Sequence, residues 1–519
     1  MELAIQGHGN LIVLHSLLTG AFIIIVLFLV HFIYNVFFHP LADYPGPLFW
    51  RGSNIPKMIS QVQGTLHFRM LEHHKQYGTV VRLAPGELTY TTGTAAKEIY
   101  GNRSGRKLMS PQSSLGANEK KMFGATSFLW LEDHKEHARH RKIIGQMFSD
   151  ASLKAQESLV LRFADLLMQR FRETAVRGEV IDMWAWFNYY TFDIIGDLVF
   201  GEPFGCVEQG QFHPWISFIF SNLTNMMYTQ MITTMGYLGN IFQGMVPQRV
   251  VAEAFTHAQF TCDKVDRRLA RKEVRPDLIS RIWHKIGVPG GLSRQELYAD
   301  SQIMIMAGSE TSATLLAVTL YYLLRCPHKL AQLRDELLEA FASEGDISFS
   351  AVSRLSYLEA VTKESLRIHP PLPAGINRVV PCDGAVIENR FVPSGTVLQV
   401  PSWAAFHLEE NFKNAWDFVP ERWLDNQGCP NRYEGDNHDV FNPFSLGQRS
   451  CLGTSLAYME SKICIAKLLL NFDPELMEDS KDWNKQKVHL LYEKKPLNVR
   501  LTEVKKTPKA GAPSISSLS

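Results

Sequence analysis

Pro443 to Gly453 reads PFSLGQRSCLG, which sets Cys451 between Gly447 and Gly453, with Arg449 two residues before the sulfur and Phe444 seven before it. Gly447 permits a tight turn, and Gly453 removes side-chain bulk where a following helix begins, so the sulfur is free to approach a large planar group. The thiolate, not the thiol, is a metal ligand. The N–H groups of such a turn and the N-terminal dipole of the next helix favour the negative sulfur. Phe444 can shield it from water, and Arg449 can reach an acidic edge of the same group. A buried structural cysteine would explain neither the glycines nor the arginine.

AGSETS (Ala307 to Ser312) places Glu310 and Thr311 in the middle of a long apolar helical pattern. Burying a carboxylate or a hydroxyl without a partner is costly, so this segment has a use for protons. Ala307 lies four residues before Thr311 on the same helical face, with Gly308 beside it, and small side chains there let a ligand approach the backbone. The Thr311 hydroxyl can also compete for the Ala307 carbonyl and open the helix ladder. In KESLRIHPP, Glu364 and Arg367 are three apart on one helical face, and the distant PERW supplies Arg422 to complete a buried Glu-Arg-Arg cluster. EDHKEHARHRK is rich in histidine, but His134, His137 and His140 drift around a helix and Arg139 and Arg141 sit among them, which disfavours a metal. His137 and Arg141, four apart, instead form one donor-rich face suited to a carboxylate or phosphate.

The elements that must position these groups are mainly helical. Residues 151–173, 291–326 and 454–472 carry apolar side chains at three and four spacing, whereas TVVRLAPGELTYTT and RVVPCDGAVIENRFVPSGTVLQVP read as short strands with turns. A Met- and aromatic-rich stretch between Gln211 and Val251 suits an adaptable pocket, membrane contact or ordinary core. Among 519 residues, 45% are hydrophobic and 53 basic side chains offset 52 acidic ones, so a large core is available and no global field favours nucleic acid. Seven cysteines without a CxxC pair indicate a reducing compartment.

Leu11 to Phe38 contains no Lys, Arg, Asp or Glu, and Arg51, Lys57 and Arg69 follow it. At about 1.5 Å per residue this run makes ~40 Å of helix, enough to cross a bilayer as a retained anchor with the body on the cytosolic side. HPLADYPGP then reads as a stiff, extended connector that sets the angle of the body. The expected organisation is an anchor at 1–40, one large domain at 41–501 and a disordered tail at 502–519. No Walker loop, GxGxxG after a strand, HExxH or GxSxG occurs.

FSLGQRSCLG, AGSETS, ESLR and PERW occur in this order and resemble the cytochrome P450 superfamily of haem-thiolate monooxygenases. The connector FFHPLADYPGP and the HARHRK segment further resemble membrane-bound filamentous-fungal members of secondary metabolism, such as isotrichodermin hydroxylases. The resemblance implies a cytochrome P450 fold, mainly α with small β-sheets, behind a single N-terminal transmembrane helix in the endoplasmic reticulum. It implies that Cys451 is the axial ligand of haem b iron and that Glu364, Arg367 and Arg422 form the structural cluster behind it. His137, Arg141, Arg378 and Arg449 would pair with the haem propionates, although many members carry Trp where His137 falls. Ala307 and Gly308 would leave room for molecular oxygen, with Thr311 and Glu310 delivering protons.

Electrons would come from NADPH through an NADPH-cytochrome P450 reductase, with Lys135, Arg139 and Lys142 as contacts. The substrate would be a lipophilic small molecule, hydroxylated, epoxidised or desaturated. Two other readings are an oxygen-independent rearrangement on the same fold and a membrane-tethered haem carrier without turnover. The acid and threonine count against the first of these.

Overall fold

A computed structural model describes residues 2–102, 107–112, 114–216, 248–271, 273, 275, 277–424, 433–493 and 495–504. Most of the Met- and aromatic-rich stretch, and the tail from 505 onward, lie outside the described residues. The helices that frame the site are α1 (Glu2–Phe37), α2 (Leu48–Gly52), α3 (Ser114–Phe123), α4 (His134–Ile144), α5 (Asp150–Arg177), α6 (Met183–Phe200), α7 (Arg294–Arg325), α8 (Ser356–Ile368) and α9 (Thr454–Asn471).

The strands are β1 (Val80–Ala84), β2 (Glu87–Tyr90), β3 (Ser110–Pro111), β4 (Val180–Asp182), β5 (Arg378–Val379), β6 (Ala385–Ile387), β7 (Arg390–Val392), β8 (Val397–Gln399), β9 (Phe472–Leu476) and β10 (Asn498–Glu503). They form a sheet of order β1-β2-β8-β5-β3, a second of order β4-β10-β9, and the hairpin β6-β7. The hairpin turns on Glu388 and Asn389, whose positive φ values of 49° and 63° suit the tight two-residue connection between Ile387 and Arg390. The body is thus helical with small sheets, as the periodicities predict.

α7 is the axis of the body. Its start is a capping box: the Glu296 N–H donates to Ser293 Oγ at 3.2 Å, and the Ser293 N–H donates to Glu296 Oε2 at 2.7 Å. α7 packs most extensively on α6, which is itself buried on almost every side, and it also crosses α9 and α8. Leu316, Val318, Leu320 and Leu323 of α7 belong to the same apolar core as Phe192 and Leu198 of α6 and Ile463 and Leu468 of α9. α7 is apolar and long enough to span a membrane, but 78% of its most apolar window is buried inside the body, so it is a core helix.

α1 is the opposite case. Leu14–Phe37 has a mean hydropathy of 2.6 and none of its most apolar window is buried within the protein, which makes this helix a candidate membrane span. The connector differs from the extended form expected: residues 38–44 fold as consecutive turns, and only 45–47 run straight. Polar side chains fix the junction instead. Asn35 Nδ2 donates to the Gly52 carbonyl at 3.0 Å, Arg82 donates to the Asn35 carbonyl at 2.8 Å, and Arg51 donates to the carbonyls of Val36 and Ala42 at 3.1 and 2.6 Å. The two guanidiniums satisfy carbonyls at the C-terminal end of α1, where cations are favoured. A side chain at Gly52 would collide with the Phe32 ring, so the helix and body meet closely there.

Candidate active site

The cysteine turn is built as its sequence suggests. Gly447 has φ 70°, and a Cβ there would stand 2.5 Å from the Tyr100 carbonyl oxygen, so both conformation and space require glycine. The Cys451 N–H donates to the Phe444 carbonyl at 2.8 Å, closing the loop, and α9 starts three residues later. Gly453 leaves its neighbourhood open: a Cβ built there would find only the Cys451 sulfur within contact range, at 3.9 Å. The half-buried Phe444 ring packs on Tyr458 at 5.5 Å.

Cys451 has accessible surface, yet the protein around it is dense enough that burial raises its pKa, against the opposing effects of the Gly453 N–H, Thr454 and Arg141. A sulfur that is both accessible and desolvated faces an internal space. The N–H groups of the turn act in the direction expected, but desolvation outweighs them.

α7 opens towards an internal space as well. Along a helix otherwise buried on most sides, Ala307 is exposed and Gly308 and Thr311 are half-buried. Thr311 Oγ1 donates to the Ala307 carbonyl at 2.7 Å, and Glu310 is buried. Gly308 differs from expectation: a Cβ there would meet Ile195 of α6 at 3.0 Å, so its small size serves helix packing, and Ala307 is the small residue presented to open space. α7 and α9 are joined nearby, where Ser312 hydrogen-bonds the buried Glu460, whose carboxyl burial pushes up to about 8.

Four expected anion-binding groups converge beside the cysteine turn. Arg141 donates to the Ser450 carbonyl at 2.7 Å and to Ser450 Oγ at 3.0 Å, and Arg449 donates to the Leu131 carbonyl at 2.7 Å. Arg378, buried on β5, donates to the Asn377 carbonyl at 3.1 Å and lies over the Tyr100 ring. Burial first, and then the charges of Arg378 and Arg141, lower the Arg449 pKa to about 10. Burial, Arg449 and Arg141 together hold the His137 imidazole neutral, with a pKa of about 3. Among the described residues none of these three guanidiniums has a carboxylate partner, and Arg449 Nε is buried with no hydrogen-bond acceptor. Crowded cations around a neutral donor are costly in themselves and fit an anionic group with two acidic arms.

Behind the site, Glu364 of α8 accepts from Arg367 Nη2 at 2.7 Å, Arg367 Nε at 2.9 Å, the Val419 N–H at 2.9 Å and Trp423 Nε1 at 2.9 Å, with Arg422 Nε at 3.2 Å. Arg367 also ties down the carbonyls of Phe406, Ala415 and Asp417 at 3.0, 2.7 and 2.9 Å. Sequence reasoning missed a second carboxylate: Asp436 pairs with Arg422 and is equally buried. Its position in a polar, irregular segment gives no periodic signal.

Arg139 is a correction. It is bonded to Glu136, Glu296 and the Gly291 carbonyl, so it is not a free cation for a docking partner, whereas Lys135 and Lys142 are exposed. Glu136, His140 and Glu296 bring ligand atoms within 4.8 Å of one another, but the Arg139 guanidinium bonds both glutamates and already supplies their positive charge.

A cysteine turn at the head of a core helix, crossed by a longer helix with an open small-residue face and flanked by unpaired guanidiniums, defines the haem-thiolate class. The family described as Cytochrome P450 matches residues 42–501. The cytochrome P450 monooxygenase lcsI of Purpureocillium lilacinum is 38% identical over 494 residues, covering 94% of each chain. The cytochrome P450 monooxygenase aclL of Aspergillus oryzae is 37% identical over 90% of this chain and 94% of its own. The averantin hydroxylase of Dothistroma septosporum is 37% identical over 90% of this chain and 88% of its own. The chain belongs to the cytochrome P450 family, a family of haem-iron oxidoreductases whose monooxygenases require a redox partner, molecular oxygen and a small-molecule substrate.

Proposed function

We propose that the chain is a membrane-anchored fungal monooxygenase of secondary metabolism that oxidises a lipophilic small molecule, using electrons passed from NADPH by a diflavin reductase at the endoplasmic reticulum. Residues 1–40 act as the anchor and 41–501 as the single haem-binding domain; the expected tail boundary at 502 falls too early, because Thr502 and Glu503 still pair with Asp473 and Phe472 in the β9-β10 sheet. The family match over 42–501 and the bare apolar surface of α1 support this division.

The observation that carries the reading is the carboxylate-free cluster of Arg141, Arg378 and Arg449 beside an accessible Cys451. Cys451 would hold the iron as a thiolate, a form that metal coordination imposes even on a desolvated thiol. Arg141, Arg378 and Arg449 would hold the propionates, with His137 donating as a neutral imidazole. Haem held there supplies oxygen activation and substrate oxidation.

The chain's own contribution is positional and protonic. Ala307 keeps the face of α7 clear. The Thr311 proton rests on the Ala307 carbonyl, and a rotation about χ1 turns it towards the open space; the neighbouring Glu310 carboxyl is the source from which it is replaced. Lys135 and Lys142 offer exposed charge to a reductase, while Arg139 does not.

The test is the ferrous carbon monoxide difference spectrum of the full chain and of Cys451→Ala. A strongly red-shifted Soret band that disappears in the variant is expected. An unshifted band in the wild-type protein would remove Cys451 from its assigned role.

A further inference from the structure

The helix that bears His137 and Arg141 also bears His140, which points the other way, into α7. The His140 imidazole is 1% exposed, with Nδ1 3.1 Å from Asp300 Oδ2 and Nε2 3.0 Å from Glu296 Oε1. Neutral imidazole has a single N–H, so two carboxylate acceptors are both satisfied only by imidazolium. Burial alone would lower the His140 pKa, but the hydrogen bonds and charges of Asp300 and Glu296 outweigh it and raise it.

Asp300 is fully buried and uses its other oxygen as well: Oδ1 accepts the Phe128 N–H at 2.7 Å. Next to it, Glu119 of α3 accepts the Ser127 N–H at 2.8 Å. Three residues beyond Phe128, the Leu131 carbonyl receives Arg449. One carboxylate on the second turn of α7 therefore grips both supports of the cation cluster. Its first arm, through His140, fixes the helix of His137 and Arg141. Its second, through Phe128, fixes the segment that orients Arg449.

We propose that Asp300 and protonated His140 are positioning residues, a buried charge clasp that locks α4 and the 127–131 segment to α7 and so aims Arg141, His137 and Arg449 at the acid groups of the haem. The inference rests on the reading of those three residues as propionate partners. It also places the anion-binding groups and Thr311, eleven residues further along α7, on one rigid element.

The charged groups facing His140 are Asp300 and Glu296 from α7 and, around them, Arg139 and Glu136 from α4 and Glu119 from α3. As pH rises through the raised His140 pKa the imidazolium is lost and the clasp weakens. Glu119, pushed by burial to about 7, also ionises as pH rises, but its carboxylate then accepts the Ser127 N–H more strongly and opposes loosening.

The experiment uses the full haem-loaded chain in detergent micelles, with release of haem to an excess of an apoglobin scavenger followed between about pH 6 and pH 9, a range that spans histidine titration. Wild-type release is expected to quicken on the alkaline side. Asp300→Asn and His140→Gln should release haem roughly tenfold faster at neutral pH, the effect of one weakened charge-assisted hydrogen bond, and the His140→Gln profile should lose the alkaline rise in release. Asp300→Glu should recover part of the retention. Arg449→Leu, measured alongside, tests the underlying reading. If it releases haem quickly while Asp300→Asn and His140→Gln stay within about twofold of wild type, the clasp is refuted and the cation cluster stands. If Arg449→Leu also behaves as wild type, the propionate reading fails and the clasp fails with it. Should Asp300→Asn not fold, a wild-type profile without an alkaline limb overturns the proposal by itself.

Discussion

Replacing Glu364 by glutamine preserves shape and removes one negative charge from between two guanidiniums that are completely buried. Arg422 keeps Asp436, but Arg367 is left with carbonyl oxygens only. Breaking a buried pair by removing one partner typically costs about 3–5 kcal/mol, because the remaining charge stays desolvated. The Val419 N–H and Trp423 Nε1 retain an oxygen acceptor in glutamine at most in part, so the upper half of that range, ~4 kcal/mol, is the better figure. A domain of this size has an unfolding entropy of roughly 1 kcal/mol/K at its midpoint, so the melting temperature should fall by ~4 °C. Differential scanning calorimetry of the haem-loaded protein at a fixed scan rate measures this directly. Arg69 and Glu72 form the control, since both are more than half exposed and such a pair is worth less than about 1 kcal/mol. If Glu364→Gln melts within about 1 °C of wild type, as the control should, the cluster does not bear the energy assigned to it.

Thr311→Ala removes the hydroxyl that donates to the Ala307 carbonyl on the open face; oxygen consumption should continue while product per NADPH falls and hydrogen peroxide rises, and unchanged coupling would remove Thr311 from proton delivery. Glu460 is buried and its pKa is raised to about 8, so its neutral form is the one the fold favours. The stability it provides is complete below its unfolded pKa and declines as pH climbs towards about 8; thermal melts should therefore fall over that range for wild type and fall less for Glu460→Gln. The full chain should remain with the membrane pellet after alkaline carbonate extraction, and release into the supernatant would show that α1 does not span the bilayer.

What the sequence reveals and what it hides follow from how each signal is written. The long helices are legible because their apolar spacing persists over many turns, and the cysteine turn because glycine, arginine and cysteine each have a separate physical reason to be there. The Glu364 cluster is half legible: a carboxylate and a guanidinium three apart are visible on a helix, but Asp436 joins from a loop whose path no local pattern dictates. The turned connector is not legible because its three prolines restrict φ without forbidding turns between them, and because Asn35, Arg51 and Arg82, which fix the junction, are far apart in sequence. Gly308 was given the wrong reason, since a missing side chain looks the same whether a ligand or Ile195 needs the space.

The most instructive omission is Asp300. The argument that singled out Glu310, a carboxylate inside a long apolar helix, applies equally to Asp300 ten residues earlier, and the partner it requires, His140, was on the page as one of three histidines in EDHKEHARHRK. The drift of those histidines around the helix argues against a shared metal and also means that they face different neighbours: His134 bonds the Leu108 carbonyl at 3.0 Å, His137 faces the arginines and His140 enters α7. A buried charge in a core helix and an unclaimed histidine on an adjacent amphipathic one are each weak signals. Taken as a pair whose burial is tolerable only if they meet, they predict how α4 and α7 are docked, and hence which side of α4 is left to bind the acidic cofactor.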